Sequence, residues 1–212
     1  MSERFVVHPA SPQMRLIDEI VDRLRHGAVM LYPTDTVYAI GCDINHKAGH
    51  ERIRRIRKLS EDKPLTFVTS SLSDISEYAH ISDTAYHIMR HLVPGPYTFL
   101  LPASKLVPKL VMNPRRKTTG IRVPSNAICQ MMIRELGNPL ISMSARLPEY
   151  EQAETLDDLI EQFDNLVDII IDDEEVYRSP YTDMISTMID LTGEVPTIVR
   201  EGLGMELAEK YL

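Results

Sequence analysis

A chain of 212 residues, 43% hydrophobic and 25% charged, has enough apolar sequence for a real core and a length that favours one domain, 1–212. No run approaches the ~18 apolar residues of a membrane span, MSERFVVHPASPQ lacks the basic flank and apolar run of a signal peptide, and Cys42 and Cys129 are too few for a disulfide framework, so a soluble, cytoplasmic protein is expected. The net charge of −8 argues against nucleic acid, yet twelve acidic residues lie between Glu149 and Glu175 without a Lys or Arg, leaving the rest of the chain net positive.

Met14, Ile17, Ile20, Val21 and Leu24 recur at helical spacing, with Gly27 where a helix C′ residue belongs. AVMLY (28–32) reads as a strand, 47–58 as a helix and PLTFVT (64–69) as a strand. Ser82 is an N-cap for DTAYHIMRHL, which stops before Pro94. YTFLL (97–101) and GIRV (120–123) are short buried-type strands. Ser125 or Asn126 opens a helix through Ile128, Met132 and Leu136 that Gly137 closes, and PLISMS (139–144) is a strand. Thr155-x-x-Asp158 resembles a capping box ahead of a helix with Leu156, Leu159, Ile160 and Phe163 on one face. DIIID (168–172), ISTMIDL (185–191) and PTIVR (196–200) finish as strands. The expected class is α/β: a single open twisted sheet flanked by helices, mixed rather than strictly βαβ because the helices are irregularly spaced.

Familiar catalytic signatures are missing. There is no G-x-x-x-x-G-K-[ST] and no G-x-G-x-x-G after a strand; Gly202-x-Gly204 lacks a third glycine. His87 and His91 have zinc-binding spacing but no intervening Glu and no third ligand, which favours a surface pair over a metal site. Asp172, Asp173, Glu174 and Glu175 read as a solvated acidic turn rather than a Mg²⁺ site, so no metal ligand is assigned. No G-x-S-x-G elbow signals covalent catalysis.

Polar residues instead gather at strand ends, where open α/β sheets bind ligands. Pro33-Thr34-Asp35-Thr36-Val37-Tyr38 offers two threonine hydroxyls and a phenol for a small polar substrate, or is an ordinary Pro-started turn. Ser142 and Ser144 alternate onto one strand face, Ser186 and Thr187 open another strand, and Arg200 closes the last. Pro94-Gly95-Pro96 reads as an architectural bend. Two basic clusters stand out: Arg52, Arg54, Arg55, Arg57, Lys58 and Lys63, then Lys105, Lys109, Arg115, Arg116, Lys117 and Arg122. Arg54, Arg57 and Lys58 share a helix face, as a solvated surface or a phosphate clamp.

Read together, these segments resemble the YrdC-like domain family over about residues 12–204. PTDTVYAIG is similar to the family's PT(E/D)TVYGLG, PGPYTFLL to PGPxT, GIRVPS to (V/I)R(V/I)P, SAR to SAN and STMID to STVVD, while the basic helix followed by KPLTF resembles a lysine–x–arginine…PL element. The resemblance implies a concave, partly basic cleft. It also implies threonylcarbamoyl-AMP synthase chemistry: L-threonine, bicarbonate and ATP, carried with Mg²⁺, give threonylcarbamoyl-AMP and pyrophosphate, toward N6-threonylcarbamoyladenosine in tRNA. It implies Thr34, Arg122, Ser142 and Ser186 as threonine-side contacts, Thr118, Ser144 and Arg200 as ATP contacts, and Arg57, with Lys58 beside it, at the place of the phosphate-binding lysine. The sequence departs from the pattern at Arg57 itself, at Leu59 and Ser60 for the arginine and proline that follow, at Arg146 for the asparagine of SAN and at Val68 for a histidine. R-x-L in place of K-x-R resembles the YciO branch. The alternative expectation is a module that binds RNA, double-stranded or tRNA, without significant turnover.

Overall fold

The computed structural model describes residues 1–60, 63–148, 153, 155–173 and 185–212. Its strands form one ten-stranded mixed sheet. In chain order the elements are β1 (Glu3–Val7), α1 (Met14–Arg25), β2 (Met30–Tyr32), β3 (Ala39–Asp43), α2 (Lys47–Ile56), β4 (Thr66–Val68), α3 (Leu72–Tyr78), α4 (Asp83–Leu92), β5 (Tyr97–Pro102), β6 (Thr118–Arg122), α5 (Ala127–Leu136), β7 (Leu140–Ser144), α6 (Leu156–Phe163), β8 (Ile169–Asp173), β9 (Thr187–Asp190), β10 (Thr197–Arg200) and α7 (Met205–Ala208). Across the sheet they run β1-β8-β2-β3-β7-β4-β6-β5-β9-β10.

Local chemistry sets the helix ends as the sequence suggests. Ser82 Oγ accepts from Ala85 N–H, Asn126 Oδ1 from Cys129 N–H, and Thr155 and Asp158 exchange both bonds of a capping box. Gly27 and Gly137 close α1 and α5 at φ +92° and +75°, a conformation that costs glycine little. β1, β3, α3 and α7 lack a sequence reading above. β1 pairs in parallel with β8, and Phe5 and Val7 are buried, so the sheet begins ahead of residue 12.

Side-chain alternation sorts the core onto two faces. On β2, Met30 and Tyr32 join Ile17, Ile20 and Leu24 of α1 and Ile128, Met132 and Leu136 of α5. Leu31 points the other way, among residues of α2, α4 and α6. The α1/α5 face matters for function. Beyond β7 its residues line an open cleft instead of packing under a helix. One cross-strand row on that face runs Gly41, Ser142, Thr66, Gly120, Leu100. Four of its five members are small, which leaves room above the sheet for the cleft. A Cβ on Gly120 would lie 2.6 Å from Thr66 Cγ2, so the floor is already closed to van der Waals contact without one.

Among the described residues no helix is long and apolar enough to cross a membrane.

Candidate functional site

The cleft has a volume of ≈ 380 Å³, in the range of small-molecule sites. Seven of the residues singled out from sequence line it together: Thr34, Arg57, Arg122, Ser142, Ser144, Ser186 and Arg200. Lys58 and Thr118 are outside that lining. Lys58 follows the end of α2 at φ +47°. Thr118 is two residues before Gly120 on β6 and so shares its face, one step nearer the strand's start.

Thr34 sits just past β2. Its hydroxyl donates to Val37 C=O (2.6 Å) and accepts from Thr36 N–H (3.1 Å), a side-chain turn that fixes both threonines at the cleft wall. Tyr38, read above with them, does not join them: it is buried and its hydroxyl accepts from Asp173 N–H. Period two turns it to the opposite face from Ala39, which lines the cleft.

Arg122 ends β6 and is 9% exposed. Its Nη2 pairs with Asp35 Oδ1, Nη1 donates to Thr36 Oγ1 (2.9 Å) and Nε to Gly95 C=O (3.3 Å). Asp35 Oδ2 in turn accepts from Ser125 N–H and Oγ–H, both 3.0 Å. Arginine has five N–H donors, so this bracing orients the fork and leaves two N–H groups for an anion. Gly95 N–H donates to Val123 C=O (2.8 Å), which makes the Pro-Gly-Pro bend a brace for Arg122.

Arg200 closes β10 and spans Ser186: Nε and Nη2 donate to its C=O (3.1 and 2.9 Å), and Nη2 also to its Oγ (2.9 Å). Ser186 Oγ shares a 2.8 Å hydrogen bond with Thr98 Oγ1. Burial first, and Arg122 second, hold the Arg200 pKa below its ordinary value, the mark of a cation whose charge is not fully answered. Gly202 passes beneath this pair, and a Cβ there would be 2.3 Å from Ile185 C=O and 2.7 Å from Ser186 C. That glycine, no part of a phosphate loop in the sequence reading, is needed for close backbone approach.

On the floor, Tyr32 Oη donates to Ser142 Oγ (2.6 Å) from full burial, and that burial pushes the phenol pKa far up. The phenol therefore stays protonated, and Ser142 keeps its own O–H to donate. At the far wall Arg57 caps α2. Burial and then Arg146 lower its pKa. Leu59 packs on the core of the other face.

The basic clusters of the sequence divide in space. Arg52 is used on Asp168 Oδ2 (2.5 Å) and Leu166 C=O (2.8 Å). Arg54 binds backbone carbonyls, so it is neither a solvated face nor a phosphate clamp. Lys105, Lys109, Arg115, Arg116 and Lys117 stay exposed, whereas Arg122 leaves that group for the cleft. Among the described residues no group of three or more His, Cys, Asp and Glu side chains could hold a metal ion; Glu174 and Glu175 lie outside those residues, and His91 stacks on Tyr211 with ring centroids 4.4 Å apart. Sequence reasoning did not single out Asp35, Thr66 or Thr98. Alternation along YTFLL places Thr98 and Leu100 on one face, a signal for Thr98; Asp35 and Thr66 have meaning only once strands are paired.

Residues 22–202 match the family model Sua5/YciO/YrdC, described as telomere recombination. The chain is 40% identical over 205 residues to the uncharacterized protein YciO of Escherichia coli (strain K12), covering 96% of this chain and 97% of that one. The E. coli YciO crystal structure superposes with a TM-score of 0.88 at the same coverage. The threonylcarbamoyl-AMP synthase of Vibrio vulnificus (strain YJ016) is 28% identical over 158 residues, 73% of this chain and 84% of the enzyme. P. abyssi Sua5, in a crystal structure complexed with L-threonine, is 26% identical with a TM-score of 0.87, covering 100% of this chain and 61% of that one. The expected α/β architecture and family resemblance both hold, and the chain belongs to the Sua5/YciO/YrdC family.

Proposed function

We propose that this protein condenses L-threonine, bicarbonate and ATP into threonylcarbamoyl-AMP and pyrophosphate, in the direction of tRNA N6-threonylcarbamoyladenosine. The observation that carries the reading is the single cleft in which Thr34, Ser142 and Arg122 face Ser144, Ser186 and Arg200. A family relative bound to L-threonine and synthases among its relatives support it.

The chemistry asks for no enzyme nucleophile. The threonine amine adds to the carbon of CO₂ with loss of a proton, or to that of bicarbonate with cleavage of a C–O bond and loss of water, forming a C–N bond and a carbamate. A carbamate oxygen then attacks the α-phosphorus of ATP, the bond from that phosphorus to the β-phosphate bridge breaks, and pyrophosphate leaves with the electron pair. Positioning and stabilisation of charge on phosphate oxygens are what a protein must supply. In this reading the two uncommitted N–H groups of Arg122 take the threonine carboxylate, and Thr34 and Ser142 line its side. Ser186 stands between the substrates, with Arg200 and Ser144 on the nucleotide. Arg57 answers the β- and γ-phosphates from the far wall. Mg²⁺ carried by ATP would screen its phosphate charge.

The direct assay is pyrophosphate release from ATP and bicarbonate with and without L-threonine. We expect threonine-dependent release that drops at least about tenfold in Arg200→Ala, the effect of losing a charge-assisted contact. Release that ignores threonine would reject the reading.

A second reading, an RNA-binding module without significant turnover, is favoured by one observation: Lys105, Lys109, Arg115, Arg116 and Lys117 are exposed on one connection between β5 and β6. Duplex RNA is gripped through phosphates, so its affinity should fall steeply with salt and vanish when Arg115 and Arg116 are neutralised.

A further inference from the structure

Two cations of the cleft, unlike Arg122 on Asp35 and Arg200 on Ser186, have neither an ion pair nor a side-chain hydrogen bond among the described residues. Arg57 reaches it with Nε buried and no hydrogen-bond partner, and neither Arg57 nor Lys63 makes an ion pair among the described residues. A third cation, Arg146, is close enough to disfavour the charge on Arg57 further. Arg57 and Lys63, with no answering carboxylate among the described residues, make this part of the cavity an anion site. Leu59, two residues past Arg57, is committed to the core. The next side chain along the described chain that lines the cleft is Lys63.

The backbone carrying Lys63 is held by the side chain of Arg54 together with backbone bonds, among them Lys63 N–H to Ser60 C=O (3.1 Å). Arg54 Nη1 donates to Ser60 C=O (2.9 Å), and Nη2 donates to Lys63 C=O (2.8 Å) and to Leu110 C=O (2.7 Å). Its own C=O accepts from Leu59 N–H (2.9 Å), and Leu65 N–H is tied to Val111 C=O (3.2 Å). The connection from α2 to β4 is thus stapled to the segment before β6. A planar fork reaching three carbonyls is a geometry that lysine cannot reproduce.

We propose that Lys63 is a second anion-gripping residue of the cleft, acting with Arg57 on the polyphosphate of a nucleoside triphosphate, and that Arg54 is the positioning residue that holds Lys63 at the rim. The inference rests on the ATP reading above and adds the residue that supplies the charge absent at Leu59. A lysine on a pinned backbone whose ammonium has no partner among the described residues is well suited to phosphate, to which it binds as a point charge.

Isothermal titration of the full-length protein with inorganic tripolyphosphate, and separately with MgATP, tests it. Lys63→Met should weaken both by about tenfold or more and leave L-threonine affinity unchanged, and Lys63→Arg should restore most of the loss. Arg54→Lys should weaken tripolyphosphate as well, and the double variant should bind little worse than Lys63→Met alone, because both substitutions remove one contact. Tripolyphosphate affinity indifferent to Lys63→Met, or a wild-type protein that binds neither ligand, overturns the proposal; additive losses in the double variant overturn the role of Arg54. Lys63-dependent tripolyphosphate binding without threonine-dependent pyrophosphate release would sink the synthase reading and leave this one standing.

Discussion

At one end of the cleft the cations are held in place by the protein: Arg122 by the Asp35 carboxylate and Thr36, Arg200 by the neutral carbonyl and hydroxyl of Ser186. At the other end Arg57 and Lys63 have no such partners among the described residues. The first end is preorganised, with side chains fixed before any ligand arrives, as catalysis by positioning requires. The second end holds charge that only a ligand can satisfy. Substitutions at the Arg122 end should therefore cost folding stability as well as activity, and those at the Arg57 end should affect binding alone.

The largest effect expected is from Arg122→Ala. Arg122 and Asp35 are each 11% exposed at the side chain, and removing one partner leaves the other charge buried alone, at about 3–5 kcal/mol. Chemical denaturation should show it, and adding Asp35→Asn should recover part of the loss. Arg200→Ala should cost about 1 kcal/mol of folding stability, the value of a charged hydrogen bond discounted for partial exposure, with a proportionally larger loss in pyrophosphate release. Tyr32→Phe should cost about 1 kcal/mol, because Ser142 loses a buried donor; its readout is the denaturation midpoint.

A control outside the cleft comes from His50, 2% exposed with neither ring nitrogen hydrogen-bonded among the described residues. Burial lowers its pKa below the ordinary 6.5, outweighing nearby Asp43. The unfolded chain then binds the proton that the folded chain refuses, so this contribution to stability is complete above pH 6.5 and is lost as pH falls below it. Melting curves from pH 7.5 to 5 should show that decline, and His50→Gln should flatten it. The smallest stability effect is expected for Arg57→Met, near zero or slightly stabilising, because no partner is lost and a buried cation disappears; ATP affinity should nevertheless fall. A large loss of stability in Arg57→Met would erase the contrast between the two ends.

Most helices were legible because their signals are local. The caps at Ser82, Asn126 and Thr155 and the glycine stops after α1 and α5 are written within a few residues of each end. β3 was not, since Ala39-Ile40-Gly41-Cys42 continues a turn motif and becomes a strand only by pairing with β2 and β7. β1 depends in the same way on β8, more than 160 residues away. In the cleft, the hydroxyls and arginines were visible as residue types at strand ends. Their bracing was not, because Asp35–Arg122 and Thr98–Ser186 join segments about 90 residues apart. The basic run of α2 shows the limit plainly: spacing put Arg54, Arg57 and Lys58 together, and the fold gave Arg54 to backbone carbonyls and Arg57 to the cleft.

The most direct measurement follows carbon from ¹³C-labelled bicarbonate by mass spectrometry in a reaction with ATP, Mg²⁺ and L-threonine. The account predicts a labelled threonylcarbamoyl adenylate that forms with wild type and is sharply reduced in Arg200→Ala and Arg57→Met. Equal pyrophosphate release with no labelled adenylate, or a product that forms without threonine, would contradict it.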